Sequence, residues 1–291
     1  MAKSPAHRFG QIIGDLLELT MIEYCRPIAQ KYGLYLDYRH SRIARNNQNE
    51  VRWKDINGNT HKLDIVMESN GSEEQFGQPR VFIEIAWRRY TKHSKNKAQE
   101  ISAAINPLIS KYKNNGPFFG AVLAGDFTQN SLTQLKSEGF EVLYFSLDAI
   151  KSAFEEQKIN AYWEEGTPED ELQSRINQFE ALSLEEVKVI KDKLLEDSKD
   201  QLDKFVKELT NSLERKMESI CIISLYGNPQ VFNSVDDACK YILEYNETVT
   251  FSKESFCRYE IIIKYTNGDK IDMQFKEQQP AIIALKTFVY P

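Results

Sequence analysis

Cysteine is scarce in this chain, and its pattern excludes several kinds of site. Only four of the 291 residues are cysteine, and they are widely scattered: Cys25, Cys221, Cys239 and Cys257. No CxxC pair or Cys/His cluster occurs, so neither a zinc site nor a disulfide framework is predicted. We expect reduced, buried thiols, as in a cytoplasmic protein.

Long hydrophobic runs are also lacking. No segment approaches the roughly 18 consecutive apolar residues that a membrane-spanning helix needs, and residues 1–8 lack the apolar run of a signal peptide. The sequence therefore predicts no membrane partner. With 41% hydrophobic and 11% aromatic residues the chain has ample material for a core, and its length suggests about two domains.

Acidic residues dominate the chain as a whole but not its first part. The formal net charge is −6, yet residues 1–120 hold 18 Lys and Arg against 12 Asp and Glu, whereas the remainder holds 19 against 31. The overall acidity thus does not exclude a polyanionic partner for the N-terminal region. A solvated basic surface without a ligand is the alternative interpretation.

Apolar spacing predicts a mixed α/β domain over residues 1–165. A helix over 9–30 precedes three strands of a meander, over 50–56, 60–67 and 80–87, and Asn-Gly at residues 57–58 predicts a hairpin turn between the first two. Helices and buried strands then alternate over residues 94–112, 118–124, 128–138, 141–145 and 147–156. This order predicts a mixed sheet core flanked by helices.

Two further segments follow this domain. Residues 166–218 predict a long helix or helical hairpin, which could be a connector or a dimerisation segment. Residues 219–291 predict a small α+β module with a helix over 235–245 and strands over 220–225, 258–265 and 270–275. We expect this module to serve in DNA recognition or in dimerisation.

Two carboxylates inside predicted buried strands are the main candidates for chemistry. Asp64 lies in the run LDIVME and Glu84 in the run VFIEIAW. A buried carboxylate is unfavourable unless it is paired or holds a cation, and neighbouring strands can place two side chains on one face. Such hard oxygen ligands select Mg²⁺, with Mn²⁺ as a substitute. The densely basic residues 88–97 follow at once and suit phosphates.

This arrangement resembles the PD-(D/E)XK nuclease superfamily, which includes many type II restriction endonucleases. The resemblance covers roughly residues 9–150, and its specific part is Asp64, nineteen intervening residues and then Glu84-Ile85-Ala86, within the order helix, three strands, helix, strand. It implies a restriction-endonuclease-like core in which Asp64 and Glu84 bind the metal, with Glu18 or Glu23 of the first helix as an added ligand.

The chain departs from that family at the lysine of the motif. This position is Ala86, and no proline directly precedes Asp64. Members of the family can supply the lysine from another element, and the candidates here are Lys97, Lys62 and Lys95, in that order. Gln99, one turn further along, could orient a phosphate or a water.

Several other side chains are candidates for contacts with DNA. Phosphate contacts are expected from Arg88, Arg89, Lys92 and Lys95, and groove contacts from the loop that carries Arg39, Arg42 and Arg45, since Arg is the usual reader of guanine edges. Trp87 and Tyr90 could stack on bases, although core packing is favoured for Trp87.

The resemblance leads to one main expectation and two alternatives. The main one is a Mg²⁺-dependent endodeoxyribonuclease that hydrolyses double-stranded DNA, as a homodimeric type II restriction endonuclease in the cytoplasm of a bacterial or archaeal cell. The first alternative is a DNA-binding protein of the same fold that does not cut, which Ala86 would favour. The second is an antiphage or repair nuclease without fixed sites, whose C-terminal module would sense a partner or a signal.

Overall fold

The computed structural model describes residues 4–91, 94–112, 116–225, 227–248, 256–266 and 268–288. In chain order its elements are α1 (Pro5–Lys31), β1 (Tyr35–Asp37), a 3-10 turn (Ile43–Arg45), β2 (Val51–Lys54), β3 (Thr60–Leu63), β4 (Ile65–Ser69), β5 (Gln78–Arg88), α2 (Ser94–Tyr112), β6 (Phe118–Gly125), α3 (Gln129–Ser137), β7 (Glu141–Ser146), α4 (Leu147–Glu155), α5 (Glu169–Glu180), α6 (Leu184–Asp197), α7 (Lys199–Glu214), β8 (Met217–Ser224), β9 (Gln230–Phe232), α8 (Val235–Glu244), β10 (Tyr259–Tyr265), β11 (Lys270–Phe275) and α9 (Gln278–Lys286). The chain divides into two units, residues 1–110 with 118–209, and residues 111–117 with 210–291.

A five-stranded mixed sheet lies at the centre of the first unit. Its strand order is β1-β4-β5-β6-β7. The pairs β1/β4 and β4/β5 are antiparallel, whereas β5/β6 and β6/β7 are parallel. Parallel neighbours need a crossover, and α2 and α3 supply the two that this order requires. The predicted class, a mixed α/β fold whose sheet is flanked by helices, is therefore confirmed.

The predicted meander is wrong in its first strand. Strand β2 pairs only with β3, in a separate two-stranded sheet, and the core sheet instead begins with β1. The chain bends at Asp64, which ends β3 and allows β4 to leave the hairpin and join β5. Strand β1 spans only three residues and has a single fully buried side chain, Asp37, so its sequence carries no apolar strand pattern.

Helix α1 runs across the sheet and contacts β5 and β1. It begins at Pro5, earlier than predicted, because Ser4 caps it by accepting a hydrogen bond from the His7 N–H, at 3.4 Å, and a proline suits the first position. Phe9, Ile13 and Leu17 are fully buried on one side of this helix. A second side, with Gly10, Gly14 and Glu18, is only partly buried and is described below.

Residues 166–218 form three helices rather than one long helix or a hairpin. Breaks occur between α5 and α6, where Ser183 forms a capping box with Glu186, and at Ser198 between α6 and α7. Helix α5 packs against α1, and α6 packs against α4, with Leu172 and Leu194 buried. The apolar pattern of α5 and α6 thus serves packing within the first unit.

The second unit is a small α+β module, as the sequence predicted. Its four-stranded sheet has the order β11-β10-β8-β9, and α8 and α9 contact each other beside it. Strand β9 and helix α9 are additions to the predicted elements. The buried residues Ile220, Ile261, Ile263 and Leu285 belong to the core of this module.

Within the described ranges, no helix is long and apolar enough to cross a membrane.

Candidate active site

Asp64 and Glu84 face each other at the end of the β4/β5 pairing. The last paired residues there are Ile65 and Ile83, and the two carboxylates lie one step beyond. The Ile85 N–H donates a hydrogen bond to Asp64 Oδ2 at 2.6 Å, so the Asp64 side chain continues the strand pairing where its own backbone has turned away. Two acidic residues from neighbouring chain segments are thus brought together, as the sequence predicted.

Glu84 is the more buried of the two carboxylates. Its exposed fraction is 8%, and its Oε1 atom has no hydrogen-bond partner among the described residues. Burial and then the nearby Asp64 raise the Glu84 pKa well above its usual range, although Lys97 lowers it in part. Burial also raises the Asp64 pKa, against the effects of the Ile85 hydrogen bond and of Lys97. A cation at this position would relieve both carboxylates.

Glu18 of α1 is the acidic residue of that helix that lies near Asp64. Burial and then the proximity of Asp64 raise its pKa to about 7, and the exposed Arg39 acts in the opposite direction. Of the two α1 carboxylates that the resemblance implied, Glu18 is therefore the one near Asp64. Glu23 lies elsewhere, because its carboxylate accepts a hydrogen bond from Lys191 Nζ of α6 at 2.5 Å.

Lys97, in the first turns of α2, is the lysine that the fold brings to the carboxylates. Its ammonium group favours the ionised forms of both Asp64 and Glu84. Its Nζ lies 3.8 Å from the Glu100 carboxylate, and its side chain is 21% exposed. Lys97 and the buried Ala86 line the same cleft.

The other lysines and the glutamine proposed for the site lie in different surroundings. Lys62 is exposed on β3 and donates to Glu50 Oε1 at 2.6 Å, since the bend at Asp64 separates it from the core sheet. The side chains of Lys95 and Gln99 are exposed on α2. Lys92 lies outside the described residues.

The cleft beside these residues is formed by α1, the end of β5 and the start of α2. We call it the α1 cleft, and its volume is about 370 Å³. Its lining residues are Ala6, His7, Gly10, Gln11, Gly14, Ile85, Ala86, Trp87, Arg88 and Lys97.

At two positions in the wall of the α1 cleft, packing against the described residues does not require glycine. A Cβ at Gly14 would meet nothing within 4 Å, and one at Gly10 would lie 3.7 Å from Trp87 Nε1, an ordinary contact. Glycine in a helix interior costs about 0.5–1 kcal/mol relative to alanine. Gly10, Gly14 and Glu18 follow each other at intervals of four, a spacing visible in the sequence that our sequence analysis did not use.

Trp87 is held by its six-membered ring and presents its N–H edge toward the α1 cleft. Gly125 has φ +98°, and a Cβ there would come within 2.2 Å of the Arg88 carbonyl oxygen and 2.6 Å of Trp87 Cζ3. Only glycine permits this approach. Trp87 is half-buried rather than part of the core, contrary to the favoured prediction.

Arg42 and Arg45, predicted to reach the DNA grooves, are instead buried in an ion cluster. Arg42 Nη1 donates to Asp37 Oδ2 at 2.8 Å and to Glu68 Oε1 at 2.6 Å, and its side chain is fully buried. Arg45 pairs with Asp37 and donates to the His40 carbonyl oxygen at 2.6 Å. Neither guanidinium is exposed to a ligand, so both predictions are corrected to a structural role in holding the loop onto β1 and β4.

Replacing Arg42 by glutamine should therefore destabilise the fold. Removing one partner of a buried ion pair leaves an uncompensated charge, here on Glu68, and costs about 3–5 kcal/mol. We expect that decrease in the free energy of unfolding, measured by urea denaturation. A variant that folds normally but binds DNA weakly would instead support the original groove-contact prediction.

The remaining arginines differ in how accessible their guanidinium groups are for contacts with DNA. Arg88 is half-buried and lines the α1 cleft, with its Nη2 3.8 Å from the Glu100 carboxylate. Arg89 stacks over Tyr90 and Trp163 and donates to the Trp163 carbonyl oxygen at 3.2 Å. Arg39 and Arg88 thus remain candidates for DNA contacts, whereas Arg89 is engaged by the fold.

The cluster of Asp64 and Glu84 fits a divalent cation only together with other ligands. Within the part of the chain that the structure describes, no three His, Cys, Asp or Glu side chains are grouped closely enough to hold a metal ion. Mg²⁺ is commonly held by one or two carboxylates, with water and substrate phosphates completing its shell. The unpartnered Glu84 Oε1 is the atom that such an ion would satisfy.

Comparisons with known proteins add little to this description. No protein-family model matches the chain, and no curated protein matches it. A crystal structure described as that of a protein of unknown function, AF1548, is similar over 68% of this chain and 98% of its own, with 12% identity and a TM-score of 0.30. The function is therefore argued from the residues of the site itself.

Proposed function

We propose that this protein is a Mg²⁺-dependent endonuclease that hydrolyses phosphodiester bonds in DNA. The observation that carries this proposal is the proximity of Asp64, Glu84 and Lys97, which come from three separate segments, together with the buried Glu84 Oε1 atom that has no hydrogen-bond partner among the described residues. A surface that binds phosphates needs positive charge. Two neighbouring carboxylates are unfavourable on such a surface unless a bound metal cation lies between them.

The order of elements supports the same proposal. Along the chain, α1 precedes the strands that meet at Asp64 and Glu84, and α2 and β6 follow them, which agrees with the helix, strands, helix and strand of the resemblance to PD-(D/E)XK nucleases, although β2 and β3 stand between β1 and β4. In this proposal Asp64 and Glu84 would take the part of that family's metal ligands. The lysine of the motif would be replaced by Lys97, which reaches the same cleft from α2.

Each residue has a distinct role in the proposed reaction. Asp64 and Glu84 would hold Mg²⁺, with water and a substrate phosphate as its other ligands, and Mn²⁺ would substitute. The ion, when bound, would stabilise the charge that develops on the phosphate and activate a water. Lys97 would donate hydrogen bonds to that water or to a phosphate oxygen, and Arg88 would bind a flanking phosphate.

The finer form of the proposal is a type II restriction endonuclease acting on double-stranded DNA as a homodimer. The C-terminal module, residues 219–291, would then serve in recognition or dimerisation. Ala86 favours a second candidate, a protein that binds DNA without cutting it. Against this alternative, the carboxylate pair would repel phosphates if no cation were held there.

The decisive experiment is digestion of a long unmethylated DNA with and without Mg²⁺, with Glu84→Ala as a parallel variant. We expect discrete metal-dependent fragments that disappear in the variant, and sequencing of their ends gives the recognition site. A smear lost in the variant would support a nuclease without fixed sites. Cleavage by Glu84→Ala at the wild-type rate would refute the proposed site, and uncut DNA that is nevertheless bound would favour the binding protein.

A further inference from the structure

The α1 cleft extends the candidate site in a direction that metal binding does not explain. Asp64 and Glu84 are both absent from its lining, which begins next to Glu84 in the chain, at Ile85 and Ala86, and continues along α1 as far as Ala6. Its volume of about 370 Å³ falls within the roughly 300–1,000 Å³ of pockets that enclose a small organic ligand. One nucleotide is a ligand of that size, whereas a stacked base pair with its two backbones is much larger.

The wall formed by α1 is shaped for close approach of a ligand to the helix backbone. Gly10 and Gly14 weaken the helix, yet a Cβ at Gly14 would meet nothing within 4 Å, and one at Gly10 would make only an ordinary contact with Trp87. Glycine is the residue that lets another molecule come close to a backbone. A flat nucleobase or sugar can use this surface, and a larger side chain at Gly14 would remove it.

Next to the Gly10 end of this wall, Trp87 offers a hydrogen-bond donor. Its ring is fixed against Gly125, and its Nε1–H makes no hydrogen bond with the described residues. Nucleobases carry acceptor atoms on their edges, which this N–H can reach, and a flat face that can lie against a glycine backbone. The rim near the catalytic cluster carries Lys97 and Arg88, whose positive charge suits the phosphate attached to that base.

We propose, on the basis of the proposed function, that the α1 cleft binds one unpaired nucleotide of the DNA next to the phosphodiester that is cut. Its base lies against Gly14 with its edge toward the Trp87 N–H, and its phosphate lies toward Lys97 and Arg88. The buried, unpartnered Oε1 of Glu84, just before the cleft residues Ile85 and Ala86, marks the end at which cleavage occurs. The unpaired nucleotide belongs either to a single strand or to a duplex from which one base is drawn out.

Binding without metal tests the cleft independently of catalysis. The affinity for a fluorescent single-stranded oligonucleotide is measured by anisotropy in a chelating buffer, for wild type, Gly14→Leu, Gly14→Ala and Trp87→Phe. Since a Leu side chain at position 14 would take the space of the base, we expect Gly14→Leu to weaken affinity about tenfold or more, which corresponds to about 1.4 kcal/mol, and Gly14→Ala and Trp87→Phe to weaken it less. Leu19→Phe adds bulk at an exposed position of the same helix and should bind as wild type.

The melting temperature separates a blocked cleft from a damaged fold. Gly14→Ala should melt above wild type, since it removes a helix glycine and its Cβ meets nothing, and yet it should bind more weakly. If Gly14→Leu is folded and binds as wild type, the cleft proposal is overturned. If Gly14→Leu does not fold, wild-type binding by both Gly14→Ala and Trp87→Phe overturns it.

A duplex that carries the fluorescent base 2-aminopurine beside the mapped cut shows whether the bound nucleotide comes from a duplex or from a single strand. A rise in its fluorescence on binding would support a base drawn out of the duplex, and cleavage confined to single strands would support an unpaired source. Rapid duplex cleavage without any rise would overturn the proposal. Cleavage that depends on Glu84 but not on Gly14 would support the proposed nuclease function and overturn the proposed nucleotide site. Binding that depends on Gly14, with no cleavage, would support the nucleotide site and contradict the nuclease function.

Discussion

Replacing Lys97 by alanine should lower the rate of Mg²⁺-dependent DNA cleavage by about 10²–10⁴-fold, the usual contribution of a positioned proton donor or acceptor. The physical reason is that Lys97 is the ammonium group that the fold places against both Asp64 and Glu84. DNA binding should remain measurable, since Arg88 and Arg39 are retained. The measurement is kcat/KM for one defined substrate together with the binding affinity for it.

A second substitution tests whether Lys97 replaces the lysine that the motif lacks. Ala86 and Lys97 line one cleft, so the double variant Ala86→Lys, Lys97→Ala should recover part of the lost cleavage by supplying the ammonium from β5. Lys111→Ala, in the last turn of the same helix, is the matched control and should cut at the wild-type rate. Full activity of Lys97→Ala alone would remove this residue from the mechanism.

Replacing Glu84 by glutamine should abolish cleavage and, without metal, stabilise the protein. The Glu84 pKa is raised by burial and by Asp64, whereas a glutamate in the unfolded chain ionises near pH 4. As the pH rises above that value, the unfolded wild type releases its proton more readily than the folded form does, and the wild type loses stability relative to the variant. At pH 8 we expect the variant to be more stable by about 1–3 kcal/mol, the typical penalty of an unsatisfied buried polar group.

The same variant also reports metal binding. In wild type at pH 8, Mg²⁺ at about 100 times its dissociation constant should add about 2.7 kcal/mol to the free energy of unfolding, and Glu84→Gln should lose most of that gain. Urea titrations with Mg²⁺ or chelator, at pH 8 and near pH 4, measure both effects, and the difference between the variants should vanish at the lower pH. Glu218→Gln, at an exposed position of β8, is the control. A wild type that Mg²⁺ does not stabilise would contradict a metal site here.

The sequence by itself determined the class of the fold and led to Asp64 and Glu84 as the acids of the candidate site. Runs such as residues 118–124 are apolar because β6 is buried between two strands, and α2 has the bounds that its apolar spacing predicted. Asp64 and Glu84 were recognisable because a carboxylate inside an apolar run conflicts with its surroundings. Such local conflicts are visible without a structure, since they depend only on neighbours in the chain.

Only the tertiary structure decided which charged residues are available and which are buried. In the sequence Arg42, Arg45 and Arg88 are equally basic, yet the first two are bonded to Asp37, which lies on a strand too short to predict. The sequence favoured Lys97 over Lys62 but kept both as candidates, and the bend at Asp64 separates Lys62 from the core sheet. The α1 cleft likewise depends on α1 passing beside the end of β5, and contacts between segments distant in sequence leave no periodic signal in either segment.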